Sequence, residues 1–575
     1  MPSIEHFLKQ LLRSQQRLQK AGVTRIDPSL VLGEALLRYQ RLYAECEQPP
    51  LHMVVTGPTQ AGKSSVVNWL MDTDVAGVNA LAGYTRHAQG FTNAVLNTST
   101  SQCIEQYFSG WKKVPQADLT GQQLEAYSLE QVTSQTQLFS QPLIIWDSPD
   151  FDSVSSRSYR NVVLKQLAMA DLVLFVVSKE KYADQTVWNT LKLMQPLQLP
   201  LVLCINKIPP GSADELTTAL RQRLDDEQIE ASIIDLPYLQ DAESTQSISA
   251  KLLQSVTPVL DQINSKRSSA NTAAFLKQHW QQWSAPLQDE LAQHEIWQQK
   301  INDALVVACQ SYQDNYLRAP LYAETMQQAV ARLLELLEIP GLADTLGRAR
   351  HILTWPARKL RGIFSTGSVQ LSAQERQSRE TAILEETVAQ ALVSLQHVAA
   401  QQIGQSDSQS RHWWAALASE LNAADQGLRN NLQKEVKQYQ DVFADNIEQA
   451  AQELYRHLQK HPAALNGLRA ARVTVDAAAV VLALKTGGIG LNDLVLTPAM
   501  LSFTSFLTEG AVGQYMQSVE KQLKQAQQQA VCGELLQVHL HDELLNIPEA
   551  MSQQMIYAIS AEQLDEAKRA ILNDD

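Results

Sequence analysis

Eight residues constrain this chain more than anything else in it: Gly57-Pro58-Thr59-Gln60-Ala61-Gly62-Lys63-Ser64. They follow an apolar run, Leu51–Thr56, that reads as a buried strand, and they precede Ser65–Met71, which reads as a helix. A loop of this spacing between a strand and a helix turns backbone N–H groups inward around an anion, because its glycines accept conformations closed to other residues. The helix N-terminus adds a partial positive charge. Lys63 sets an ammonium against terminal phosphates, and Ser64 offers a hydroxyl to Mg²⁺. Residues Gly57 to Ser64, with Ser65 behind them, are the candidate phosphate site.

The surrounding texture supports an α/β unit. Besides Leu51–Thr56, short apolar runs occur at Leu143–Trp146, Leu172–Val177, Leu201–Ile205 and Ser232–Ile234. The stretches between them are long enough for crossover helices, as in a mostly parallel sheet with flanking helices. Residues 1–48 read instead as two amphipathic helices, the second opened by Asp27-Pro28, a cap followed by proline at the first helical position. Beyond about 265 the strand signal stops. Leu432, Val436, Tyr439, Phe443, Ile447, Ala450, Leu454 and Leu458 step by three and four along one face of a long helix. The expected organisation is therefore 1–48 helical, 49–265 α/β, and 266–575 a long all-α bundle or stalk.

Two more segments carry chemistry. Ile144-Ile145-Trp146-Asp147-Ser148-Pro149-Asp150-Phe151-Asp152 is a strand ending in an acid, where Asp147 can hold Mg²⁺ beside phosphates. An ordinary strand-to-turn aspartate is the competing reading. Cys204-Ile205-Asn206-Lys207-Ile208-Pro209 closes a later apolar strand and places Asn206 and Lys207 to cradle a base.

Together these three segments resemble the P-loop GTPases of the translation-factor-related class, in particular the bacterial dynamin-like and Era-like members. In that resemblance Ala61-Gly62-Lys63-Ser64-Ser65-Val66 is the first motif, Asp147-Ser148-Pro149-Asp150 the third and Asn206-Lys207-Ile208-Pro209 the fourth. Thr85 takes the place of the switch threonine that completes Mg²⁺ coordination with Ser64 and Asp147; Thr92 is the runner-up. The resemblance implies GTP as substrate and dimers or oligomers formed through the nucleotide domains. Three departures stand out. Asp150 replaces a glycine whose amide meets the γ-phosphate, so its carboxylate is expected to point away from the phosphates. Phe151 replaces a water-orienting glutamine, which points to Gln60, a partner subunit or potassium for catalysis. Pro209 replaces the acid that reads guanine, which leaves ATP as the alternative substrate. For the fifth loop, Asp235-Leu236-Pro237 and Ser249-Ala250-Lys251 are the two candidates.

The helical region raises a membrane question. The segment 346–364 contains five Lys/Arg and no acid, interleaved with Ile352, Leu353, Trp355, Leu360, Ile363 and Phe364. That composition suits an anionic lipid surface, and equally a helical corner facing acidic protein. Two apolar runs within 473–507 flank Gly487-Gly488-Ile489-Gly490 and are each too short to span a bilayer. They read either as a buried hairpin or as a membrane-inserting one like the paddle of dynamin-like proteins. Trp413-Trp414 and the Trp280/Trp283 pair read as packing anchors.

Composition narrows the remaining classes. Hydrophobic residues make up 45% of the 575, enough for a large core, and a net charge of −14 argues against coating nucleic acid. The five cysteines are scattered, odd in number and without a CxxC pair, so the expectation is no disulfide and no zinc site, in a reducing cytoplasm. The first residues, MPSIEHFLKQLLRSQQ, carry no secretory pattern. Peripheral attachment to the inner membrane is the location the dynamin-like resemblance implies. The competing function is a regulatory nucleotide switch, with little hydrolysis, that docks a protein partner.

Overall fold

The fold is taken from a computed structural model, which describes residues 2–44, 46, 49–77, 86–119, 125–134, 136, 138, 142–150, 157–209, 211–237, 242–263, 269–319, 325, 329, 332–333, 336–337, 379–406, 408–462, 465–466, 510–551 and 556–572. Thr85, Phe151, the basic segment 346–364 and the apolar runs of 473–507 lie outside them. The chain divides into two compact units. One comprises Met1–Leu291 with Gln553–Asp575, and the other Ala292–Ser552.

The first unit is built on an eight-stranded sheet. Its strands are β1 (Leu51–Thr56), β2 (Ala88–Thr92), β3 (Lys112–Lys113), β4 (Ala126–Gln131), β5 (Leu143–Asp147), β6 (Leu172–Ser178), β7 (Leu201–Ile208) and β8 (Ser232–Pro237), in the order β3-β4-β2-β5-β1-β6-β7-β8. Every pairing is parallel except β2 with β5. Helices α3 (Lys63–Met71), α4 (Thr98–Tyr107), α5 (Arg157–Met169), α6 (Gln185–Met194), α7 (Ala213–Asp226) and α8 (Ala242–Asp261) flank it. Side chains alternate between two buried faces. Val54, Val173, Phe175 and Val177 enter one core; Met53, Val55, Leu174 and Val176 enter the other. Both faces are covered, which is why the central strands read as continuous apolar runs.

The strands that gave no such run are β2, β3 and β4, on one side of the sheet. β2 is Ala-Gln-Gly-Phe-Thr, and its Gly90 is required: a Cβ there would lie 2.9 Å from both Leu129 and Trp146. Absence of a side chain lets the Trp146 indole cover the strand.

The N-terminal helices α1 (Pro2–Lys20) and α2 (Pro28–Ala44) belong to this unit. Asp27 caps α2, accepting from the Ser29 backbone N–H at 2.8 Å and the Ser29 hydroxyl at 2.7 Å. Ile4, Phe7, Leu8 and Leu11 bury one face of α1, and α2 packs along α5. The C-terminal helix, Ala561–Leu572, returns to α1, where the Ser14 hydroxyl donates to the Tyr557 carbonyl at 2.8 Å.

The second unit is helical. Helix α9 (Ser269–Tyr312) supplies its first residues; α10 (Arg379–Gln405), α11 (Ser408–Gln459) and α12 (Gly510–Gln528) follow, and α12 runs into a π-helical stretch, Gln529–Leu540. The face of α11 spaced by threes and fours is buried at Leu432, Val436, Phe443, Ala450, Leu454 and Leu458, with Tyr439 and Ile447 partly covered. Trp297, Trp413 and Trp414 are buried, and Trp414 donates to Gln293 at 2.9 Å. At its centre Glu380 Oε1 accepts from the hydroxyls of Tyr312 (2.7 Å) and Tyr439 (2.9 Å) and from the Gln527 amide (2.7 Å), which ties four helices to one carboxylate.

One expectation is corrected here. Cys309 and Cys532 form a disulfide, with Cα atoms 5.4 Å apart. Their sequence separation of 223 explains why no spacing pattern announced it. Among the described residues no helix is long and apolar enough to cross a membrane.

Candidate functional site

The three chemically suggestive segments converge at the carboxyl ends of adjacent strands β5, β1, β6 and β7, the edge where open α/β sheets place their ligands. Strand β1 ends at Thr56, and the loop 57–62 then leads into α3. A Cβ on Gly57 would sit 2.0 Å from the Val176 carbonyl oxygen of β6, so the loop can leave the sheet here only as glycine. Gly62 has a left-handed backbone (φ 95°), and a Cβ on it would meet the Asn206 amide nitrogen at 2.3 Å. The motif's two glycines thus answer two different neighbours, each on another strand.

Asn206 and Lys207 grip this loop directly. The Asn206 side-chain amide donates to the Ala61 carbonyl at 2.9 Å, while its oxygen accepts from the Lys207 backbone N–H at 2.8 Å. The Lys207 ammonium donates to the Gln60 carbonyl at 2.8 Å. Gln60 and Lys207 both hold left-handed backbones, φ 61° and 59°. Such conformations cost non-glycine residues of order 1 kcal/mol each and persist where surrounding bonds dictate them. Sequence reasoning assigned Asn206 and Lys207 to a base; their bracing of the phosphate loop was not legible, because it runs through backbone carbonyls that carry no residue signature. Thr59 is partly exposed, Gln60 exposed, and Ala61 fully buried.

The catalytic end centres on Asp147 and Lys63. Ser64 donates to Asp147 Oδ2 at 2.6 Å. Asp147 is fully buried, and its second oxygen, Oδ1, has no hydrogen-bond partner among the described residues. Burial pushes its carboxyl up to about 6, against the opposing pull of the Ser64 hydrogen bond and the Lys63 charge. The Lys63 ammonium donates to the Pro58 carbonyl at 3.1 Å and is paired with the Asp150 carboxylate, both groups being buried. This corrects the expectation for Asp150: its carboxylate turns toward the lysine, because a buried ammonium draws the nearest acid.

Of the two switch-threonine candidates, Thr85 lies outside the described residues. Thr92 is committed to the sheet, its hydroxyl donating to the Leu143 carbonyl at 2.7 Å. The two candidate fifth-loop segments meet: Lys251 donates to both the carboxylate and the carbonyl of Asp235, each at 2.8 Å.

Residues 52–207 match the family described as 50S ribosome-binding GTPase. No curated protein matches the chain. Similar solved structures include Era from Aquifex aeolicus bound to GDP and aluminium fluoride, at 18% identity over 36% of this chain and 56% of that one, with a TM-score of 0.23. Another is one member of an oligomerised bacterial dynamin pair described as sensing and tethering membranes, at 11% identity over 100% and 82% of the two chains and a TM-score of 0.28. A third is LeoA, a bacterial dynamin GTPase from ETEC, at 11% identity over 95% and 98% and a TM-score of 0.25. This chain spans little more than half the length of the Era chains. The family match and the loop arrangement fall on the same stretch of chain, and on that ground the protein carries a P-loop GTPase domain at residues 52–207.

Proposed function

We propose that the protein hydrolyses GTP in a Mg²⁺-dependent way at Gly57–Ser65 and uses the cycle to change the conformation of its helical region, at an anionic membrane surface and as a dimer or oligomer of nucleotide domains. The observation that supports this most is the Ser64–Asp147 pair, at 2.6 Å, with its orphaned buried carboxylate oxygen. An unpaired oxygen in a fully buried acid is costly unless something charged takes it up, and a hydroxyl beside a carboxylate is a donor set suited to a hard cation. Ser64, Asp147 and Thr85 are the residues we assign to hold Mg²⁺, which when bound would neutralise charge on the phosphates. Lys63 and the inward amides of the loop bind and orient the phosphates, and Asn206 with Lys207 keeps the loop in shape while lining the base side. Gln60 or a partner subunit orients the attacking water. The functional division is 1–48, 49–265 and 266–575, with 346–364 and 473–507 as the lipid-facing parts of the last.

Competition of GTP, GDP, ATP and ADP against a fluorescent nucleotide, with Lys63→Ala as control, tests the site. Guanine nucleotides winning, with binding lost in the variant, supports the reading despite Pro209. Equal competition by adenine nucleotides removes the guanine assignment, and no binding at all removes the site.

A second reading, a switch with little hydrolysis that docks a protein partner, is favoured by one contact. Lys63 is already neutralised by Asp150. A γ-phosphate has to displace that carboxylate before it can use the lysine. Tight GTP binding without multiple turnover would favour this alternative.

A further inference from the structure

Away from the nucleotide loops, the first unit contains a second polar cleft of about 510 Å³, within the size range of small-molecule sites. It lies where α1, α2 and α5 meet the turn before β3. Its walls carry four cations, Lys9, Arg13, Arg38 and Lys165, against two acids, Glu34 and Glu125. On a chain of net charge −14 such a local excess is not the average surface. Glu34 is spent in an ion pair with Arg38 one turn away. Lys9, Arg13 and Lys165 form no ion pair among the described residues.

Lys165 is the least comfortable of the four. Its ammonium stands 4.6 Å above the Trp111 ring, and burial, followed by the nearby Arg38 charge, holds it below the ordinary lysine range. Glu34 and Glu125 already offset these penalties in part, and a dianion entering the cleft would offset them further. The Arg13 guanidinium supplies forked donors of the shape phosphate oxygens accept, and the Asn161 amide is a neutral donor beside it, while Arg38 is held by Glu34 and by weaker contacts to the Tyr107 carbonyl and Ser109 hydroxyl.

We infer that this cleft binds a phosphate-bearing anion, and that its occupancy is felt at the GTPase site through α5. The path is short. Lys165 and Asn161 project from α5, and the next residue, Gln166, is buried and reaches the Asp147 carbonyl with its amide at 3.5 Å. The Lys165 carbonyl is itself anchored by the Tyr107 hydroxyl at 2.6 Å. A ligand that draws Lys165 and Arg13 together therefore pulls on the helix that carries Gln166 beneath the candidate metal ligand.

The test is titration calorimetry of the full chain with inorganic pyrophosphate, excess GDP occupying the P-loop, repeated on Lys63→Ala so that the loop's own phosphate affinity is absent. A parallel arm uses flotation with vesicles containing phosphatidic acid, which separates a free phosphate compound from a lipid headgroup. The expected result is binding in one arm that falls at least tenfold in the double variant Arg13→Gln, Lys165→Gln, together with a change in GTP turnover on adding the same probe to wild type. A single variant, Lys9→Gln, reports a smaller loss and guards against misfolding of the double variant, whose circular dichroism and GDP affinity should match wild type. If neither probe distinguishes wild type from these variants, the inference fails. Binding without any change in turnover removes the coupling through α5.

Discussion

The nucleotide edge of the sheet and the centre of the helical unit solve the same problem, holding buried polar groups in place, by opposite means. At the sheet edge the solution lies in short runs of sequence: two glycines admit a neighbouring strand, and two adjacent residues, Asn206 and Lys207, fasten one loop. In the helical unit one carboxylate, Glu380, gathers donors from Tyr312, Tyr439 and Gln527, which are scattered over the chain. The first arrangement reads as a motif because its parts are contiguous. The second has none, since helices bring together residues at any separation. Local solutions should therefore fail locally and sharply, whereas the distributed one should fail as loss of stability.

The largest expected effect is at Gly57. In Gly57→Ala the new methyl collides with the Val176 carbonyl, and backbone cannot move aside as a side chain can. We expect GTP affinity to fall by more than about 100-fold, or about 3 kcal/mol, with the helical unit's stability unchanged; a concerted loss of both in denaturant melts would break the comparison. Next, Glu380→Ala strands three donors, two of them on fully buried side chains and one on the half-buried Tyr439, and should lower unfolding free energy by about 3 kcal/mol. Urea midpoints measure this, and GTP affinity at the sheet should hold. Glu380→Gln, which keeps an acceptor oxygen, should lose less.

Asp150→Gly sharpens the local side of the comparison. Freed of its internal partner, Lys63 meets phosphate directly, so GTP should bind roughly tenfold more tightly, about 1.4 kcal/mol; equilibrium binding with fluorescent GTP decides, and unchanged affinity would mean the ion pair costs nothing to open. The smallest effect belongs to the helical unit. Burial near Trp413 holds His294 below its ordinary 6.5, so the folded state takes up a proton less readily than the unfolded chain. Its contribution to stability is then complete above that pH and is lost as pH falls through it. Thermal melts at pH 7.5 and 5.5 should differ by about 1–3 °C more in wild type than in His294→Gln.

What could be read from residues follows the same division. The central strands were legible because both their faces are buried, and the glycine loop was legible because strand, loop and helix occur in order. β2 and β4 were not, since a glycine and several polar residues break their alternation and Trp146 from the next strand supplies the cover. At the site, Ser64 and Asp147 were identified and do meet. The turn of Asp150 toward Lys63 depends on which charges share a dry space, and sequence order does not encode that. The same holds for Cys309 and Cys532, each unremarkable until α9 and the Gln529–Leu540 stretch lie side by side.

That bond also changes what a protease would reveal. It closes a covalent ring across a separation of 223 residues, and both the basic segment 346–364 and the apolar runs of 473–507 fall inside the ring. A single cut at either place severs the chain without releasing a fragment. On a gel run without reductant the nicked protein keeps its full mass, and two pieces separate only once thiol is added. Nicking experiments meant to map ligand- or lipid-protected segments would therefore miss every cleavage in the ring unless the sample is reduced first.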